Sequence, residues 1–438
     1  MPDIMNETLD IPHIRWGAST AGHQNGDNLG IYGDWVEFER RKAARWAKNF
    51  DPHTDYGNGP LGQELYERIK PEAENPCNYI SGKGIGWGDG RYREDLDIAK
   101  DLGIESIRFS IERSRVEAEE GEFSKEAIKY YKSIIKECRQ RGIEPMITLF
   151  HFTNPTWFSE KGGWESRESS QNFSRYVEKL LKVLDEDIKY IIVINEPDIY
   201  TLQGYVWGNW PPGKKYSFVN VYRVRKNLIE THKRSFDAIK LQNEESQVSS
   251  AVNLTHFEPK TPSLWDYSGS IILQKIVNEG FLPYISNHID FIALNYYFHC
   301  LKRGILPISG LFENDDQEKR SDLGIYINPK SIHKILLYIH EKYPHLPIEI
   351  TENGVADMHD TIRPNFLKEM LYYVAKSMHD GVPVRSYYYW SLTDNFEWDK
   401  GFAARFGLVG IDYDTQERII RETARIYKEI IKTGRVSI

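Results

Sequence analysis

Several protein classes are excluded by what the sequence lacks. Its 438 residues include only three cysteines, Cys77, Cys138 and Cys300, far apart and without a Cys-x-x-Cys pair. That odd, scattered set offers no disulfide framework and suits reduced thiols. No run of about 18 apolar residues occurs, which argues against a membrane span. The opening MPDIMNETLDIPHIRWG has no basic stretch followed by an apolar one, so no secretory signal is read there. A cytoplasmic location is expected, and the sequon-like Asn6, Asn172 and Asn253 then carry no meaning. Basic charge is short too: 56 Lys+Arg against 64 Asp+Glu leave −8 at pH 7. A nucleic-acid partner would need a basic face, so none is expected, and without a span no membrane partner is expected either. The 13 histidines include no H-E-x-x-H or similar spacing, so no catalytic metal is expected. Gly82, Gly84, Gly86, Gly88 and Gly90 do not form G-x-G-x-x-G and follow no strand. They read as a flexible loop rather than a phosphate cradle, and no cofactor is expected.

What the chain does have is aromatic residues, 11 Trp, 27 Tyr and 19 Phe. Such side chains fill cores and also make platforms on which sugar rings stack. No repeat, low-complexity block or linker divides the sequence, so residues 1–438 read as a single domain. Short runs of β-branched and aromatic residues predict strands at Ile14–Ala18, Ser106–Ser110, Pro145–Phe150 and Tyr190–Asn195. Four more follow at Gln247–Leu254, Asp290–Asn295, Ile348–Thr351 and Ser386–Trp390. Amphipathic helices are predicted between them, as at Tyr92–Leu102, Lys125–Arg139, Phe173–Leu184 and Phe366–Met378. Ser124 supplies a start signal and Gly142 a stop. Eight such alternations imply an α/β fold, a (β/α)8 TIM barrel; an open doubly wound sheet is the alternative.

Chemistry in such a barrel sits where the strands end. The polar residues there are Gln24 beyond the first strand, Arg108 in the second, His151 past the third and Asn195-Glu196 closing the fourth. Asn253 lies in the fifth, Asn295 and Tyr297 follow the sixth, Glu352 ends the seventh and Trp390 the eighth. Glu196 and Glu352 face one cavity from strands four and seven. Glycoside hydrolysis needs such a pair, one group to protonate the leaving oxygen and one to attack or to activate water. A separation of about 5 to 5.5 Å gives retention and roughly 6.5 to 9.5 Å inversion; the sequence does not fix it.

The segments VINEP, ITENG and YYWSLTDNFEWDKGFAARFGL resemble glycoside hydrolase family 1, the retaining β-glucosidase and β-galactosidase family. WGASTAGHQ, EDLDIAKDLGIESIRFSIERSR, TLFHF, GYVWGNWPPG and DFIALNYY extend the resemblance over nearly the whole chain. It implies that Glu196 is the acid/base and Glu352 the nucleophile, with Arg108 and Tyr297 keeping Glu352 ionised and the Glu352 charge raising Glu196. It further implies a sugar site of Gln24, His151, Asn295, Trp390, Glu397, Trp398 and Phe406, with Asn195 on the 2-hydroxyl. Small β-glycosides or short oligosaccharides are the implied partners, and Glu397, which would repel phosphate, favours an unphosphorylated sugar. Oligomeric state carries no signal. Against the family pattern stand Phe152, Arg113 and Ile191 where Trp is usual, Ile325 in place of the leaving-group-side Trp, His23 for Tyr or Phe, and Gly26 for Glu. Two rivals keep the fold: a degenerate barrel that only binds, and an enzyme passing the sugar to an acceptor other than water. Intact Glu196, Glu352, Arg108 and Tyr297 speak against the first.

Overall fold

The computed structural model describes residues 7–27, 33–49, 81, 85–184, 187–304 and 320–438. Cys77, Asn6, Gly82 and Gly84 lie outside the described residues. Eight parallel strands close a barrel: β1 (Arg15–Ser19), β2 (Ser106–Ser110), β3 (Glu144–Thr148), β4 (Tyr190–Asn195), β5 (Gln247–Pro259), β6 (Ile292–Lys302), β7 (Ile348–Asn353) and β8 (Val384–Trp390). Closure comes from β1 on β8, in register from Arg15↔Ser386 to Ser19↔Trp390. With the helices between the strands this is the expected (β/α)8 fold.

Local sequence explains the parts. β4 reads YIIVIN and is buried throughout, as a strand covered on both faces must be. The helix Lys125–Gln140 starts where the Ser124 hydroxyl accepts the Ala127 N–H at 3.1 Å. It turns Ala127, Tyr131, Ile134, Ile135 and Cys138 inward and is followed by Gly142 at φ 74°. Inside the barrel, Met146, Tyr190, Ile192, Ala251, Ala293 and Tyr388 form an apolar plug. Gly17 in β1 makes room for it, since a Cβ there would lie 2.3 Å from the Tyr388 ring. Arg15 seals the plug, its guanidinium over the Tyr190 ring and 2.5 Å from Glu349.

Two expectations are corrected. β5 and β6 run well past Leu254 and Asn295, because the two strands go on pairing beyond the barrel from Thr255↔Phe298 to Pro259↔Lys302. Asn295 and Tyr297 therefore lie within β6 rather than after it. The glycine segment is also ordered at its end: Trp87–Asp89 forms a 3-10 turn between Gly86 and Gly90, both at positive φ, with Trp87 buried.

Candidate active site

Every strand of the barrel contributes to, or directs the chain into, one polar cluster at the C-terminal mouth. Arg108 organises it from β2. Its Nη1 is 2.6 Å from Glu352 Oε1, its Nη2 donates to Asn195 Oδ1 at 2.6 Å, and its Nε donates to Thr148 Oγ1 at 3.0 Å. One rigid guanidinium thus ties together β3, β4 and β7. The Tyr297 hydroxyl donates to Glu352 Oε2 at 2.8 Å, so both carboxylate oxygens are held.

Glu196 is held differently. It follows β4 with φ 41° and ψ 62°, in the left-handed region, just before Pro197 opens a short helix. Such a conformation costs about 1–3 kcal/mol in a residue with a side chain. Phe152 and Trp398, which pack on each other at 5.2 Å, share the positive φ. Glu196 Oε1 accepts from Asn253 Nδ2 at 2.9 Å and Asn295 Nδ2 at 2.8 Å. Asn295 also donates to Asn195 Oδ1 and takes the Thr351 hydroxyl on its own oxygen at 2.8 Å. The donors to Glu196 are therefore neutral amides, whereas those to Glu352 include a cation.

Burial sets the protonation chemistry. It pushes Glu196 up to about 8, with the Glu352 charge adding to it and Asn295, Asn253 and Arg108 opposing. The expected cause, Glu352, is thus the second one. Glu352 is also raised, by burial, against the pull of Arg108, Tyr297 and Asn295. Arg108 and Tyr297 do favour the charged form, as expected, but they work against the desolvation of an enclosed carboxyl. When the pair shares one negative charge, the cation beside Glu352 places that charge there. Burial and both carboxylates hold the Tyr297 proton far above the usual range, so the hydroxyl remains a donor. His151 is neutral, lowered by burial and by Arg108.

The remaining predicted residues converge beside the pair. Gln24 Nε2 donates to Glu397 Oε2 at 3.2 Å and to Asn395 Oδ1 at 3.1 Å. Burial, then Glu352, Asp399 and Glu196, push Glu397 up to about 8. His151 Nε2 lies 3.2 Å from Asn195 Nδ2, and its ring is nearly parallel to those of Trp390 and Trp398 at 6.1 and 5.9 Å. Phe406 packs edge-on against Tyr297 and lines a small cavity with it, Ile325 and Gly354. Gln24 Oε1, His151 Nδ1 and Asn253 Oδ1 are buried and have no hydrogen-bond partner among the described residues.

Three of the family departures have structural accounts. Phe152 packs against Trp210 and Trp398 at 4.7 and 5.2 Å. His23 stacks flat on Trp398 at 5.7 Å, replacing one ring by another, with Nε2 3.4 Å from Glu39. Arg113 is buried among aromatic rings and paired with Glu117 at 2.7 Å, away from the carboxyl pair. Thr148, Thr351 and Asn395 complete the network and were missed; a lone polar residue near a strand end carries no mark of its partner. Asn253 was placed in its strand without a role, and its bond to Glu196 supplies one. The histidines also hold a surprise. His256, Glu258 and His299, on the extensions of β5 and β6, bring donor atoms within 4.8 Å of one another despite lacking motif spacing. Lys334 Nζ sits 3.1 Å from Glu258 and already supplies a cation there.

A barrel with two enclosed carboxyls at the ends of β4 and β7, amid amides and indoles, has the makings of a glycosidase. Comparison with known proteins makes the class definite. The model of glycosyl hydrolase family 1 matches residues 89–282 and 269–436, and the chain belongs to that family. It is 29% identical over 426 residues to β-glucosidase A of Acetivibrio thermocellus, covering 86% of this chain and 94% of that protein. It is 26% identical over 458 residues to 6-phospho-β-galactosidase of Clostridium acetobutylicum, covering 87% and 97%. Among solved structures, the β-glycosidase from Pyrococcus horikoshii superposes with a TM-score of 0.80 at 30% identity, over 98% of this chain and 96% of that one.

Proposed function

We propose that this glycosidase is a retaining β-glucosidase that removes terminal, non-reducing β-D-glucosyl residues from small β-glycosides or short oligosaccharides. The observation that carries the reading is the asymmetry of the two carboxyls: Arg108 and Tyr297 on Glu352, neutral amides alone on Glu196. Ionised Glu352 attacks the anomeric carbon while protonated Glu196 gives its proton to the departing glycosidic oxygen. Esterification removes the Glu352 charge, so Glu196 becomes more acidic. It then takes a proton from the water that displaces Glu352, and both groups return to their starting states.

Sugar recognition falls to Gln24, His151, Asn195, Asn295, Trp390, Glu397, Trp398 and Phe406. Buried polar atoms require partners, and the unpaired Gln24 Oε1 and His151 Nδ1 suit sugar hydroxyls. Glu397 would oppose a phosphate whenever it is ionised, so an unphosphorylated substrate is preferred although a relative is named 6-phospho-β-galactosidase. Residues 1–438 act as one catalytic domain. The free, buried Cys138 accords with a reducing compartment such as the cytoplasm.

Initial rates on 4-nitrophenyl β-glucoside, β-galactoside and 6-phospho-β-glucoside test this, with Glu352→Gln as the blank. Activity on the plain sugars should vanish in the blank. Azide should rescue Glu196→Ala by forming a β-glycosyl azide; an α-azide would overturn the assignment of roles.

A further inference from the structure

The helix Leu264–Leu273, with the turn Gln274–Asn278 that continues it, is inside out. Its buried positions are Asp266, Gly269, Ser270 and a single large apolar residue, Leu273, whereas Leu264, Trp265, Tyr267, Ile271, Ile272 and Ile276 face outward. Leu264 is 80% exposed and Trp265 67%. The helix cannot roll over to hide them, because its inner face is pinned. Asp266 accepts from the Thr261 N–H and hydroxyl and from the Gly304 N–H at 2.7–3.0 Å. At Gly269 the backbone just past β6 comes so close that a Cβ would lie 2.1 Å from the Gly304 carbonyl oxygen. An apolar residue exposed singly is ordinary, but a whole helix face of them marks a surface meant to be covered.

The preceding βα unit repeats the pattern. Tyr216, Phe218, Val219 and Tyr222, at the start of the helix Phe218–Gln242, are all more than half exposed. Residues 214–226 read KKYSFVNVYRVRK, with five Lys or Arg and no acid, in a chain of net charge −8. Of these, Lys214 and Arg225 are paired with Glu165 and Asp198 at 2.6 and 2.8 Å, which leaves Lys215, Arg223 and Lys226 as the exposed charges that carry the patch, with Lys275 on the first one. Arg225 joins the two units, its guanidinium packed against Gly280. Both segments leave the C-terminal ends of β4 and β5, so they form part of the rim around the catalytic mouth.

We infer that this rim docks on an anionic lipid surface, with the mouth turned toward the lipid headgroups. Aromatic and aliphatic side chains flanked by Lys and Arg are the composition of an interfacial face. The positive charge decides between a membrane and a second copy of the chain: two such patches would repel one another across a twofold contact, but each would be attracted by acidic lipid. No helix among the described residues is long and apolar enough to cross a membrane, and a docking face needs none. The inference departs from the expectation of no membrane partner, which rested on the lack of a span. It rests on the glycosidase reading only for what the mouth would meet there.

The test is co-sedimentation of the whole protein with vesicles of phosphatidylcholine alone and of phosphatidylcholine with phosphatidylglycerol. Preferential binding to the acidic vesicles, weakened by 0.5 M salt, is expected. Trp265→Ser with Ile272→Ser and Ile276→Ser should lower the partition constant at least about tenfold, and Lys215→Glu with Lys226→Glu should do so on the order of tenfold. Both variants should retain the wild-type melting temperature and turnover of a soluble glycoside. Glu352→Gln should bind vesicles like the wild type, so vesicle binding is judged apart from catalysis. Equal binding by the surface variants, no binding to either vesicle, or a dimer by light scattering that the same substitutions dissociate would overturn the inference.

Discussion

Replacing the proposed acid/base by its amide, Glu196→Gln, should make the protein more stable as it removes most of its activity. The wild-type carboxyl is raised from 4.5 to about 8 on folding, chiefly by burial. Between those values the folded chain binds more protons than the unfolded one, so stability contributed by this group falls as pH rises. Below about pH 4.5 both states are protonated and the group is neutral in its effect. At pH 7 the raised carboxyl disfavours folding by about 3 kcal/mol. A glutamine keeps an oxygen for Asn253 and Asn295, which both donate to Oε1. It must still bury its own NH2 group, so the net gain expected is about 1–3 kcal/mol. With an unfolding entropy near 2.1 cal/mol/K per residue, that raises Tm by about 1–3 °C. Calorimetry of both proteins from pH 4.5 to 8.5 should show melting temperatures that coincide at the acid end and diverge steadily above it. A Gln variant that is no more stable at pH 8, or a difference independent of pH, would refute the reasoning.

Three further outcomes follow from the geometry. Tyr297→Phe removes the neutral donor on Glu352 Oε2 and should lower kcat on the order of 10–100-fold; a pH–rate profile should also show the nucleophile's pKa raised, since the lost bond favoured the charged form. Glu397→Gln should weaken kcat/KM for glucosides yet improve the relative rate on a 6-phospho-β-glucoside, read by competing the two substrates; an unchanged ratio would remove Glu397 from specificity. Gly354→Ala should destabilise the mouth and lower both Tm and activity, because a Cβ there would lie 1.9 Å from the Trp390 carbonyl oxygen.

The fold was legible because each barrel strand is a short apolar run set between amphipathic helices. Ser106–Ser110 and Tyr190–Asn195 have the bounds that their apolar runs predict. The ends of β5 and β6 were not legible, since His256, Glu258 and His299 belong to strands only through pairing with each other. The carboxyl pair was legible from its place at two strand ends and from the family segments around it. What those segments hide is conformation and environment. Nothing in NEP announces a left-handed Glu196, and nothing in SIRFS shows that Arg108 will bond Asn195 and Thr148 as well as Glu352. The upward shift of Glu352 escapes a count of its partners, because it arises from how completely the folded chain excludes water.

The central claim is that Glu352 becomes covalently glycosylated. Incubation with 2,4-dinitrophenyl 2-deoxy-2-fluoro-β-glucoside, followed by mass spectrometry of the digested protein, tests it most directly. The account predicts one fluoroglucosyl group on the peptide containing Ile350-Thr351-Glu352-Asn353, attached at Glu352, with activity lost in proportion. Attachment at Glu196, or release of dinitrophenol at full stoichiometry with no label on Glu352, would contradict it.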